Sequence, residues 1–141
     1  MVSVDDIAAL GGAVALFPVP SRRDARGALH PFDFDALPFV PQRAFVVQPA
    51  AAGTTRGGHA HRSARQLLVR LAGVIEIELA VAGREVTVRL DDTGTALLLA
   101  PGVWARHTYR TADAQLLVFA SEPFDPEAYV STKDAPAERG P

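Results

Sequence analysis

His59 and His61 are the residues whose type and spacing most directly promise chemistry, in the run Arg56-Gly57-Gly58-His59-Ala60-His61-Arg62. With one residue between them, both imidazoles leave the same face of an extended segment and enter the same space. Histidine titrates near neutrality, so two rings facing one cavity suit proton transfer, one acting as base while the other acts as acid. The flanking residues point the same way. Gly57 and Gly58 let the backbone bend close to a ligand, and Arg56 carries a planar fork matched to phosphate oxygens.

These side chains need a scaffold, and the remaining sequence reads as all-β. Eleven glycines and eleven prolines leave few windows for a helix of three turns. Only Val4 to Leu10 has a helical pattern, with Ser3 as its N-cap ahead of Asp5 and Asp6. Strands are expected at Ala13 to Pro18, Ala44 to Gln48, Gln66 to Leu71, Gly73 to Val81, Arg84 to Leu90, Ala96 to Leu99 and Gln115 to Ser121, all rich in Val, Leu, Ile or Phe. Ile75, Ile77 and Leu79 alternate with Glu76 and Glu78; after a turn through Ala82-Gly83, Val86, Val88 and Leu90 alternate back, which makes a hairpin. Short strands separated by turns imply a sandwich or barrel in a single domain. The boundaries read as an N-terminal segment 1–12, a β domain 13–130, and a flexible polar tail 131–141 rich in Pro and Ala.

Composition excludes several classes of function. With 141 residues and no cysteine, the chain holds one core of ordinary size and has no thiol chemistry. Fourteen basic against sixteen acidic residues, without a basic run, speak against nucleic acid as a partner. No apolar run approaches the roughly eighteen residues of a membrane span, and Asp5 and Asp6 sit where a signal peptide would be positive. The expected location is the cytoplasm, with no membrane partner.

The order of motifs resembles the cupin jelly roll. His59 and His61, followed by Gln66 and Gly73, resemble the first cupin motif, and Gly94 to Trp104 with Ala100-Pro101-Gly102-Val103-Trp104 resembles the second. Gln66 stands where a metal-binding cupin has glutamate, and Ala105 where it has the remaining histidine. Two of the usual four ligands therefore survive, too few for a stable transition-metal site. A metal-dependent cupin using His59, His61 and His107 is the weaker alternative.

More specifically, the chain resembles the cupin nucleotide-sugar 3,4-ketoisomerases that act on dTDP-4-keto-6-deoxyglucose, over roughly residues 14–130. Asp24-Ala25-Arg26-Gly27-Ala28-Leu29 is similar to the family's D-x-R-G-x-L, and Arg56 to Arg62 to its R-G-x-H-A-H-K. Further matches are Gln66-Leu67-Leu68, Pro101-Gly102-Val103-Trp104, Leu116 to Ser121, and the closing Phe124-Asp125-Pro126-Glu127-Ala128-Tyr129. The resemblance implies a homodimer without metal or cofactor that moves a keto group from C4 to C3 through an enediol. It implies His61 as base and His59 as its partner, Arg56 and Arg26 on the diphosphate, and Gln66 and Trp104 lining the pocket, with Arg70 and His107 as further substrate-binding residues. The chain departs from the family at Ala105, where histidine is common, at Phe45 and Val46, where a strand tyrosine is common, and at Arg70, which by strand parity turns inward into space that Ala105 vacates. A cupin that binds a nucleotide-sugar or natural-product intermediate without turnover is the second reading.

Overall fold

The computed structural model describes residues 3–133. Five residues, Val4–Ala8, form the helix α1, and the Ser3 hydroxyl accepts a hydrogen bond from the Asp6 N–H. Ile7 of this helix and Leu10 just beyond it are buried in the main core. Twelve strands follow: β1 Val14–Pro18, β2 Arg22–Asp24, β3 Gly27–Leu29, β4 Arg43–Val47, β5 Thr54–His61, β6 Gln66–Ala72, β7 Ile75–Val81, β8 Arg84–Leu90, β9 Thr95–Leu99, β10 Trp104–Tyr109, β11 Gln115–Ala120 and β12 Tyr129–Val130. Two five-stranded sheets, ordered β1-β9-β6-β11-β4 and β12-β5-β10-β7-β8, carry the domain, and β2 and β3 form a separate hairpin. The all-β jelly-roll expected from the sequence is the observed architecture, and no described helix is long and apolar enough to cross a membrane.

The two sheets meet through side chains that alternate along each strand. Ile75, Ile77 and Leu79 of β7 and Val88 and Leu90 of β8 belong to the same buried cluster as Leu68, Leu97, Leu99, Leu116 and Val118 of the other sheet. The β7–β8 hairpin turns through Ala82 and Gly83, both at positive φ (52° and 79°), which matches the twist of paired strands. β6 differs because both of its faces are covered. Leu67 and Val69 belong to a second cluster with Phe119, against which Phe17, Phe32, Leu37 and Phe39 pack, so Leu67-Leu68-Val69 reads as an unbroken apolar run.

The outward face of β7 and β10 is tied instead by charge. Glu76 and Glu78 accept from Arg110 and Arg106 at 2.6 and 2.7 Å across the pairing of these strands. Such exposed pairs contribute little each, but they mark this face as wet.

β5 and β10, which the sequence reading did not assign as strands, pair with an irregularity that matters for the site. Ala105 lies opposite His59, whereas His107 lies opposite Arg56, so three residues of β5 span what two residues of β10 span. The extra residue sits at Gly57-Gly58, where both glycines take positive φ, 88° and 85°. This is a β-bulge that reverses the side-chain parity of the strand. The expected tail 131–141 falls mainly outside the described residues; its first part is held, with the Ser131 carbonyl accepting from the Trp104 indole N–H at 3.2 Å.

Among the glycines of the described residues, the closest approach is at Gly73, between β6 and β7. With φ +70°, an added Cβ would meet the Thr111 hydroxyl and come within 2.6 Å of the Ala114 Cα. Gly73→Ala is therefore expected to lower the unfolding free energy by about 3 kcal/mol, from backbone strain and overpacking together, measurable as an earlier urea midpoint; an unchanged midpoint would contradict this packing.

Candidate active site

The bulge in β5 places Arg56, His59 and His61 on one face of that strand, although Arg56 has the opposite sequence parity. All three line a cavity of about 450 Å³ that opens between the sheets. β4 contributes Arg43, Phe45 and Val47, β6 contributes Gln66, and β10 contributes Ala105, His107 and Tyr109. Phe124 and Tyr129 complete the wall. Among the described residues the lining contains two arginines and three histidines and no carboxylate, so its electrostatics favour an anionic guest.

The imidazoles are packed, not free. Their ring centroids are 5.3 Å apart at an interplanar angle of 84°, and the Tyr129 ring lies 4.4 Å from each. Tyr129 arrives on β12, whose Tyr129–Val130 pair lies against His61 and Ala60. A short 3₁₀ turn Pro126–Ala128 leads into it, capped by Asp125, whose carboxylate accepts from the Glu127 N–H at 3.0 Å. Nδ1 of His59 is buried and, among the described residues, pairs with no other residue.

Burial and neighbouring cations keep these rings neutral. Burial, then His59 and Arg43, lower the His61 pKa to about 4. Burial, then His59, His61 and Arg56, lower that of His107 to about 4. Burial also lowers His59 below the ordinary histidine value, and it pushes the Tyr109 phenol up to about 12. The site therefore presents unprotonated imidazoles as potential bases and a protonated phenol beside them.

Arg43 was not foreseen as a site residue. Its guanidinium lies between the rings of Phe45 and Phe124, at 4.5 and 4.9 Å from their centroids, which holds a planar cation at the cavity wall. Tyr109 and Tyr129 were missed as well. Both side chains line the cavity, from β10 and β12, while the corresponding β4 position is Phe45, without a hydroxyl. Tyr109 was discoverable by parity, because it follows Ala105 and His107 at steps of two; Tyr129 and Arg43 depend on which strands close the cavity.

Of the residues expected at the site, Arg56, His59, His61, Gln66 and His107 do line the cavity, and Arg26, Arg70 and Trp104 do not. The structure places these three elsewhere in this chain. Arg70 bends to the end of β6, where it donates to the Gly73 carbonyl at 2.6 Å and to the Thr93 hydroxyl at 3.2 Å; the guanidinium is satisfied locally and leaves the space beside Ala105 alone. Trp104 has the opposite parity to Ala105, and it packs on the outer side against Ala60, Ala80 and Val130. Arg26 sits in the turn between β2 and β3, its side chain 90% exposed and paired with Asp24 at 2.6 Å. Among the described residues no three His, Cys, Asp or Glu side chains form a metal-binding group, so His59, His61 and His107 do not assemble the ligand set weighed above.

Residues 13–137 match the family model described as FdtA: WxcM-like, C-terminal. The chain belongs to the FdtA family. Within reach of it, the TDP-4-oxo-6-deoxy-alpha-D-glucose-3,4-oxoisomerase of Aneurinibacillus thermoaerophilus is 28% identical over 112 residues, covering 79% of this chain and 81% of that enzyme. The crystal structure of QdtA, a sugar 3,4-ketoisomerase from Thermoanaerobacterium thermosaccharolyticum in complex with TDP, superimposes with a TM-score of 0.81 at 30% identity, over 86% of this chain and 90% of that one. A 3,4-ketoisomerase from Helicobacter canadensis shares the fold at a TM-score of 0.79 and 23% identity, over 84% of this chain and 90% of that one. FdtA-family membership thus rests on nearly the whole described domain, the cavity included.

The neutral buried rings also bear on stability. For a base with a depressed folded-state pKa, the unfolded chain takes up its proton below 6.5 while the folded chain resists until about 4, so stability falls with pH through that window. Urea unfolding between pH 6.5 and 5 is expected to lose about 1.4 kcal/mol per pH unit for each such ring. His107→Gln should remove one proton's worth of that slope; an unaltered slope would show that His107 is not buried neutral.

Proposed function

We propose that this chain is a metal-independent isomerase that moves the keto group of a nucleotide-linked 4-keto deoxysugar to C3. The observation that carries the reading is a pair of neutral imidazoles, His59 and His61, packed on Tyr129 inside a cavity whose charged walls among the described residues are Arg43 and Arg56. The sugar class is supported by the relatives. QdtA was crystallised with TDP, and a histidine-to-asparagine variant of it with TDP-4-keto-6-deoxyglucose.

Chemically, a base removes the proton from C3, beside the C4 carbonyl, and the electron pair moves onto the C4 oxygen. The C4 oxygen takes a proton to give the enediol; the C3 hydroxyl then gives up its own as C3 becomes the carbonyl, and a proton returns to C4, so that the two protons lost are matched by the two regained. Imidazoles suit both transfers because a ring can take and give a proton near neutral pH and exchange it with water between the two steps. We read His59 as the carbon base and His61 as its partner, the reverse of the order carried over from the resemblance. Burial, His59 and Arg43 all reduce the basicity of His61, whereas at His59 burial is partly offset by a backbone hydrogen bond. Arg43 and Arg56 hold the diphosphate, the exposed guanidinium of Arg56 as a fork at the mouth. Gln66 and His107 contact the sugar, and no cofactor takes part. Sheet edges at β1 and β4, with Val46 exposed, fit a homodimer, and a cytoplasmic location is kept as part of this reading.

The test is incubation with TDP-4-keto-6-deoxyglucose in heavy water, followed by NMR. Wild-type protein should incorporate deuterium beside the carbonyl and form the 3-keto isomer; His59→Asn should lose both by at least about 100-fold, and His61→Asn should retain more exchange than product. The acid limb of kcat/KM should lie below 6.5, since the active base is the unprotonated ring and its pKa is lowered by burial. Tight binding with no exchange would reject an enzyme and leave a binding protein.

A further inference from the structure

β10 delivers a second pair of titratable groups to the cavity, His107 and Tyr109, which the proton transfer just described does not use. Tyr109 has 0% exposure, and its hydroxyl meets one partner among the described residues, Nδ1 of His107 at 3.5 Å. A phenol buried from water must donate its proton or leave it unsatisfied at a cost of a few kcal/mol. The acceptor within reach is that ring nitrogen. If Nδ1 accepts, the single proton of the imidazole is on Nε2, which no described residue engages and which is not a buried orphan atom.

We propose that His107 presents its Nε2–H to the sugar oxygen on which negative charge develops, and that Tyr109, by donating to Nδ1, is the positioning residue that fixes this tautomer. The proposal rests on the isomerase reading for its substrate, and on the pair's own geometry for its tautomer. Removing the C3 proton leaves charge on the C4 oxygen; an N–H aimed at that oxygen stabilises it without giving up a proton. A positively charged ring would bind the ground state too, whereas an uncharged donor gains most as the charge appears.

The surroundings maintain this arrangement. His59, His61 and Arg56 face His107 from β5, and each disfavours a second proton on it. Arg43 adds positive charge to the same cavity from β4, and β11 contributes only Val118. On β7 the residue opposite His107 is Ile77, and the neighbouring Glu76 and Glu78 turn outward to Arg110 and Arg106. Among the described residues no acid lines the cavity to pull a proton onto the ring. The phenol keeps its own proton because burial holds its pKa near 12.

Two readouts test the pair. The first is independent of turnover: two-bond ¹H–¹⁵N spectra of histidine-labelled protein, with His107 assigned from the His107→Gln variant. Wild type should show His107 as a single Nε2–H tautomer, and Tyr109→Phe should release it into a mixture with Nδ1–H; an Nδ1–H tautomer in wild type, or no change on Tyr109→Phe, overturns the positioning role. The second is kinetic. His107→Leu should lower kcat about 100-fold with little change in KM, Tyr109→Phe about tenfold, and His107→Gln, which keeps an N–H donor, should retain at least tenfold more activity than His107→Leu. Equal losses in the Gln and Leu variants would reject the donor role and leave a packing residue. If wild type turns over no 4-keto sugar, the isomerase reading fails by itself and the donor role falls with it, while the tautomer spectrum still decides whether Tyr109 governs His107.

Discussion

One extra residue in a strand organises this site. Between Arg56 and His59, β5 carries a residue that β10 does not match, and the excess is absorbed at Gly57-Gly58, both at positive φ. Without the bulge, Arg56 would point away from the face that His59 and His61 share, because side chains alternate along a regular strand. With it, a guanidinium and both imidazoles enter one cavity. A Cβ at Gly57 would come within 3.0 Å of the Ala105 carbonyl, so glycine is required there by close approach as well as by φ. The same bulge sets His59 against Ala105, a residue small enough to leave the cavity open beside the ring.

The rest of the molecule keeps that cavity dry at its back and cationic at its wall. The apolar layer of Ile75, Ile77, Leu116 and Val118 continues directly into it, so the imidazoles stand at the boundary between core and opening. Desolvation is what keeps them neutral. On the opposite side of β5 and β10, Trp104 anchors the end of the domain: its indole donates to Ser131, and Lys133 lies 4.8 Å over its ring while pairing with Glu85. Those contacts bracket β12. They hold Tyr129 across both histidines, so a residue buried on the outside supports the packing of the rings inside.

Much of this was legible in the sequence, and the failures have physical causes. The strands with Val, Ile and Leu at alternate positions were recognisable because a half-buried sheet imposes that period, and Arg84 to Leu90 matches β8 end to end. β5 and β10 were less visible: Thr-Thr-Arg-Gly-Gly and Trp-Ala-Arg-His-Thr-Tyr line a polar cavity, so their inward faces lack the apolar signature. The His59 and His61 pair survived this because both lie beyond the bulge, where their spacing alone fixes their common direction. Arg70 was misjudged because parity gives the side on which a long side chain starts and leaves open where its end finds partners. Trp104 was placed inward although Ala105, its neighbour, occupies the inward position. Arg43 and Tyr129 come from strands remote in sequence, and only the closure of the two sheets brings them to the histidines.

The central claim is that Arg43, Arg56 and the two imidazoles form one binding and proton-transfer site. The most direct measurement is a crystal structure of the His59→Asn variant with TDP-4-keto-6-deoxyglucose. The account predicts a diphosphate between Arg43 and Arg56 and the C3–C4 edge of the sugar facing positions 59 and 61, with the C4 oxygen towards β10. A nucleotide-sugar bound outside this cavity, or bound inside it with that edge turned away from both positions, would contradict the account.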